Sequence, residues 1–121
     1  MKKYKTGDFE NRPWGKWEVI SDETYNPNSI VKRIIVSPKQ RLSLQYHNFR
    51  NEHWFVSKGI IKATVGEETF ELSFGQTIHI PVGTTHRIEN PSNEDAIIIE
   101  IQYGDILNEN DIVRIQDDYN R

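Results

Sequence analysis

An all-β sandwich or barrel is the fold class this sequence predicts, on three observations. Short stretches of β-type residues recur at close, regular spacing, turn-forming residues punctuate them, and no segment before residue 105 sustains a helical period. The stretches are 16–20, 30–36, 42–47, 53–57, 60–65, 69–72, 77–80, 86–89 and 96–103. Between them stand Ser37-Pro38, Lys58-Gly59, Gly66-Glu67-Glu68, Phe74-Gly75, Pro81-Val82-Gly83 and Asn90-Pro91-Ser92-Asn93. Glycine supplies positive φ at such breaks, proline pre-sets φ, and Asn or Ser bonds its own backbone. A polar loop is expected over 21–29, around Asn26-Pro27-Asn28. The first 15 residues read as an N-terminal arm, and the tail, 108–121, is expected to hold one short helix or turn.

At 121 residues the chain is expected to be one domain with one core. Fifteen basic against 18 acidic side chains leave a net charge of −3, which offers no footprint for nucleic acid or a membrane surface. There is no cysteine, so any metal must be held by imidazole nitrogen and oxygen. The N-terminus lacks the apolar stretch of a signal peptide, and no apolar run approaches the roughly 20 residues that span a bilayer. A soluble, cytoplasmic protein is the expectation.

Two spaced patterns carry the chemistry. Gln45-x-His47-x4-Glu52-x6-Gly59 is followed by Gly75-x5-Pro81-x-Gly83-x2-His86-x3-Asn90. On a strand alternate side chains share a face, so Arg41, Ser43, Gln45 and His47 project one way and Leu42, Leu44 and Tyr46 the other. Glu52 lies an odd five residues beyond His47, so the chain over 48–51 must turn or bulge to bring the carboxylate round. His86 arrives just after the turn at 81–83. Singly, each of these residues is ordinary; their joint order is not. Together they resemble the two signature motifs of the cupin superfamily, with Gln45 where the first histidine usually stands. The resemblance implies a double-stranded β-helix, a jelly-roll barrel, holding one divalent metal on Gln45, His47, Glu52 and His86. Two imidazoles, one carboxylate and one amide oxygen suit zinc, the expected ion, or Mn, Fe, Co or Ni, with positions left open. His53 and His79 fall outside the pattern and read as structural or peripheral.

Further segments narrow the resemblance. Arg12-Pro13-Trp14-Gly15, Val31-Lys32-Arg33-Ile34, Arg41-Leu42-Ser43-Leu44-Gln45 and Arg50-x-Glu52-His53-Trp54 are similar to type II phosphomannose isomerase. So are Ile80-Pro81-Val82-Gly83 and Asp111-Ile112-Val113-Arg114 followed by Asp118-Tyr119-x-Arg121. In that family this cupin usually forms the C-terminal part of a bifunctional mannose-6-phosphate isomerase and mannose-1-phosphate guanylyltransferase, and Gln, His, Glu and His hold the metal. A nucleotidyltransferase domain is not expected within 121 residues. Two departures bear on substrate access or partner surfaces. Tyr46-His47-Asn48-Phe49 stands where the family commonly has a His-rich run, and the loop over 22–29 is longer than usual.

The resemblance implies interconversion of mannose 6-phosphate and fructose 6-phosphate. Such isomerisation moves a proton between adjacent carbons through an enediol, and a metal with one anionic protein ligand keeps the positive charge to stabilise the developing oxyanion. A phosphate calls for guanidinium groups. Arg50, Arg114 and Arg121 are the candidates for phosphate or enediolate contacts, with Lys32 and Arg41 as further substrate-binding candidates. Glu100, set in the apolar stretch 97–101, is a candidate acid–base if it faces inward. The tail is expected to fold back to the barrel mouth, anchored by Ile112, Val113 and Ile115. Two other readings stand beside this one. The first is a non-catalytic sugar-phosphate or sugar-nucleotide binding module acting with a separate guanylyltransferase. The second is another cupin enzyme, such as a dioxygenase, against which Gln45 counts. A homodimer is expected, because small barrels must protect sheet edges and the arm with Trp14 and Trp17 offers apolar surface.

Overall fold

Alternation of side chains along antiparallel strands builds this molecule, and a computed structural model describes residues 3–119. Eleven strands form among the described residues: β1 (Phe9–Arg12), β2 (Gly15–Ser21), β3 (Ser29–Val36), β4 (Leu44–Tyr46), β5 (Arg50–Lys58), β6 (Ile60–Val65), β7 (Glu68–Ser73), β8 (Thr77–Ile80), β9 (His86–Glu89), β10 (Ala96–Gly104) and β11 (Val113–Gln116). One sheet has the order β1-β2-β3-β10-β5-β8 and the other β11-β4-β9-β6-β7, the two faces of a double-stranded β-helix. No helix forms among the described residues, and none is long and apolar enough to cross a membrane.

The tail holds turns at 109–110 and 118–119, within its expected helix or turn, and between them a strand that was not expected. Residues 113–116 are β-branched and polar in alternation and find an open edge at β4, so they add a strand to it. Ile112 lines the barrel cavity, but Ile115 points outward, 54% exposed, and anchors nothing. The N-terminal arm also pairs, β1 with β2, and Trp14 and Trp17 are buried in this chain's own barrel. A homodimer would therefore use other surfaces.

Rows of cross-strand neighbours show how one barrel serves as both core and cup. Val36 opposite Ala96, then Ile34 opposite Ile98 beside Val56, make an apolar floor. The next inward row sets Lys32 opposite Glu100 beside Trp54, and the next Ile30 opposite Gln102 beside Glu52. All of these side chains are buried, so the polar ones are enclosed by strand register and not by loops.

Asn90, last of the motif residues, closes the floor. Its amide donates to the Val36, Ser37 and Glu94 carbonyls, and its oxygen accepts from the Ser92 N–H and hydroxyl. Because Asn90 is fully buried, Asn90→Ala leaves carbonyl groups unpaired and should cost about 2–3 kcal/mol of stability. Urea unfolding of the variant beside the parent chain measures that loss.

Candidate metal centre

The bend between β4 and β5 carries the chain from one sheet to the other, which is how residues an odd five apart come to face each other. His47, Glu52 and His86 are each buried, and their donor atoms all lie within 4.8 Å of one another. His47 Nε2 is 3.1 Å from His86 Nε2 and 3.0 Å from Glu52 Oε2, and His86 Nε2 is 3.8 Å from Glu52 Oε1. Gln45 sits directly across from His86 in the β4–β9 pair. Its Nε2 donates to Ser43 Oγ at 3.0 Å, and the residue lines the same cavity as Glu52 and His86.

The donor set fits a cation. His47 Nδ1 bonds the Asp111 carbonyl at 2.6 Å and His86 Nδ1 the Thr84 carbonyl at 2.9 Å. A carbonyl only accepts, so each Nδ1 carries the proton and each Nε2 presents a lone pair, that of His47 accepting from an Arg50 terminal nitrogen at 3.2 Å. Two such lone pairs lie 3.1 Å apart beside a carboxylate; Arg50 supplies positive charge on the His47 and Glu52 side, and a cation among the three donors would meet the His86 lone pair as well. Carbonyl-oriented imidazoles of this kind are also how metal-binding histidines are held.

Electrostatics favour the ligand form of the carboxylate. Burial alone would raise Glu52, but Arg50, then His86 and His47, hold it well below the usual carboxylate range. Burial pulls His86 down, toward the neutral ring that can ligate. Arg50 donates to Glu52 from Nε at 3.0 Å and from its terminal nitrogen at 2.9 Å, while the Trp54 indole donates to the other oxygen at 2.9 Å.

A cavity of about 700 Å³, including its open mouth, adjoins the cluster. Glu100 and Lys32 line it, both inward-facing and buried. Burial, then the Glu52 charge, pushes the Glu100 carboxyl up to about 7, against Arg50 and Lys32. Burial pulls the Lys32 ammonium down to about 8, against Glu100, and its Nζ lies 4.0 Å over the Tyr4 ring and 4.1 Å over that of Trp17. Arg114, opposite Gln45 on β11, is an exposed residue of the same lining.

Not every candidate meets this cavity. Arg41 lies outside its lining, held by Asp118 at 2.6 and 2.9 Å, because the tail passes over it. Arg50 does line the cavity but is committed to Glu52 and to His47 Nε2, and Arg121 lies outside the described residues. His53 and His79 pair on the outer face of the six-stranded sheet, where His79 bonds the Tyr103 hydroxyl. Sequence reasoning missed three residues that shape the centre. Asp111 orients His47. Gln102 donates to Glu100 at 2.5 Å. Gly104 packs against the bend so closely that a Cβ would meet the Phe49 carbonyl oxygen at 2.3 Å. The Glu-x-Gln spacing on an otherwise apolar strand was the one available signal.

The fold and the buried His–Glu–His cluster in its cavity define a cupin. The chain belongs to the family described as mannose-6-phosphate isomerase C-terminal, whose profile matches residues 2–117. Among its relatives are the xanthan biosynthesis protein XanB of Xanthomonas campestris pv. campestris, 44% identical over 110 residues, 91% of this chain and 23% of that protein. The mannose-1-phosphate guanylyltransferase ManC of Salmonella typhimurium is 42% identical over 111 residues, 91% of this chain and 22% of that protein. The chain thus spans less than a quarter of these relatives' length. Solved structures share the fold at low identity. The cupin domain of Schizosaccharomyces pombe Cnp3 has a TM-score of 0.69 at 17% identity, covering 74% of this chain and 64% of that one. A mutant of Bacillus subtilis oxalate decarboxylase OxdC has a TM-score of 0.76 at 21% identity, covering 89% and 30%.

Cobalt reports such a site directly. Titration with Co²⁺ should give saturable visible absorption, and Glu52→Gln or His86→Ala should weaken binding by at least about tenfold. A metal at about a hundred times its Kd should add about 2.7 kcal/mol of stability, removed by chelator.

Proposed function

We propose that this chain is a metal-dependent aldose–ketose isomerase domain interconverting mannose 6-phosphate and fructose 6-phosphate. The observation that carries the proposal is Glu100, a buried, inward-facing carboxyl that lines the same cavity as Glu52 and His86 of the His–Glu–His cluster and that burial pushes up. Gln45, His47, Glu52 and His86 would hold the ion, which supplies positive charge for the oxygen that becomes negative during isomerisation.

The chain's own groups do the rest. Glu100 would take the proton from the carbon beside the carbonyl and return it to the former carbonyl carbon, while the proton of the adjacent hydroxyl passes to the carbonyl oxygen, so that one C–H and one O–H are broken and one of each is formed. Lys32, fixed over Tyr4 and Trp17, keeps a cation beside it without an ion-pair partner's geometry to satisfy. Arg114 at the rim meets the phosphate, in line with the preference of guanidinium for phosphate oxygens. Arg50 holds Glu52 in place. Trp14, Trp17 and Trp54 line the cavity and limit water.

A second reading has its own support. The named relatives include guanylyltransferases more than four times as long as this chain, so the domain would serve as a sugar-phosphate or sugar-nucleotide binding module beside such an enzyme. Turnover separates the two readings. In a coupled assay the parent chain should form fructose 6-phosphate from mannose 6-phosphate and stop on chelation. Glu100→Gln should lower kcat at least about a hundredfold with metal affinity retained, the usual range for a positioned acid–base group. Arg114→Ala should raise KM about tenfold or more, as loss of one charge-assisted contact does. Sugar-phosphate binding without any turnover favours the module. The proposal includes a homodimer, and light scattering should give about twice the 14.2 kDa chain mass.

A further inference from the structure

Neither β4 nor β5 sets the geometry of the bend between them, although that bend delivers two of the three clustered ligands. Besides the 81–83 turn, whose Gly83 N–H donates to the His47 carbonyl at 2.9 Å, the segment 107–111, just before β11, grips it. The Asp111 carbonyl accepts from His47 Nδ1 at 2.6 Å. The Asp111 carboxylate accepts the Asn48 N–H at 2.7 Å and the Phe49 N–H at 3.0 Å. The Asn108 carbonyl accepts from Arg50 at 3.5 Å, and Arg50 in turn bonds Glu52. Leu107, Asn108 and Asp111 are all buried, so these contacts are shielded from water. Two residues after Asp111 the chain enters β11, which sets Arg114 across from Gln45.

We propose that Asp111 is a positioning residue that couples metal binding to docking of the C-terminal strand. The inference rests on reading Gln45, His47, Glu52 and His86 as a metal centre. When the tail lifts, the bend loses two N–H acceptors and His47 loses the carbonyl that fixes its ring. Only chains with the bend correctly set bind the ion, so the apparent Kd rises by the inverse of that fraction. Linkage makes the effect mutual: an ion that requires the docked tail makes the tail harder to lift by the same factor. The charged rim at Arg114 is then complete only when the metal end is set. Phosphate and metal sites would assemble as one unit.

The test uses the full chain and Zn²⁺ alone, with affinity read by competition against a chromophoric chelator. Asp111→Ala keeps the carbonyl on His47 but removes both acceptors of the bend's N–H groups, and should weaken Zn²⁺ about tenfold, as loss of charge-assisted hydrogen bonds of about 1.5 kcal/mol does. Asp111→Asn should recover part of that loss, since its amide oxygen still accepts one N–H. Hydrogen exchange of the amides at 113–116 should slow on adding Zn²⁺ to the parent chain, and by a smaller factor in Asp111→Ala. Asp118→Ala loosens the far end of the tail at Arg41 without touching the bend, and should weaken Zn²⁺ about two- to fivefold. It keeps the test decisive if Asp111→Ala does not fold. Parental Zn²⁺ affinity in Asp111→Ala, or exchange at 113–116 indifferent to Zn²⁺, overturns the coupling and leaves the metal centre standing. A parent chain that binds no Zn²⁺ overturns both.

Discussion

A carboxylate taken out of water costs several kcal/mol unless opposite charge and hydrogen bonds replace the solvent, and Glu52 is buried to 2% exposure at the heart of this barrel. The compensation begins on its own strand. Arg50, Glu52 and Trp54 occupy alternate positions of β5 and so share its inner face, which lets the guanidinium take one carboxylate oxygen and the indole N–H the other. Only then do His47 and His86 arrive from the opposite sheet. Once Glu52 is inside, Arg50 must be inside as well, the bend must carry His47 to it, and the loop before β11 must hold the bend. Most of the polar interior follows from that one placement.

The same register explains why chemistry and stability do not compete for space. Each inward row of β3, β10 and β5 is apolar at the floor and turns polar two rows up, where Lys32, Glu100, Gln102 and Glu52 gather. The floor excludes water and lowers the local dielectric, and that shifts the carboxyl and ammonium above it toward neutrality. Burial of the core thus tunes the groups that face the cavity, without a loop having to close over them.

Much of this was legible in the sequence, and the reasons for the rest are specific. Alternation and turn residues located nine of the strands, and the paired motifs named the histidines and Glu52. The break over 48–51 was required by the odd spacing alone. β1 and β11 were not read as strands: β1 has one apolar residue in four, and β11, though alternating, lies in a polar stretch after residue 105 that read as a tail, so each is defined by the edge it finds. Arg41 looked equivalent to Lys32 as a cation, and only the path of the tail pairs it with Asp118. Asp111 acts through a main-chain carbonyl and two bonds to main-chain amides, and such contacts leave little trace in residue type.

β11 also has a consequence for solubility. It covers the outer edge of β4, a strand of three residues whose backbone groups would otherwise face solvent at the end of the five-stranded sheet. Unpaired edges of this kind recruit other chains, and natural sheets cover or charge them. Here the cover is one four-residue strand, paired with β4 alone. Lifting β11 would leave most of the barrel core untouched yet move the sheet's edge from a strand that bears Arg114 to β4, which carries Gln45 of the candidate metal centre. Docking of β11 is therefore a matter of keeping the protein monodisperse as much as of completing the wall of the cavity.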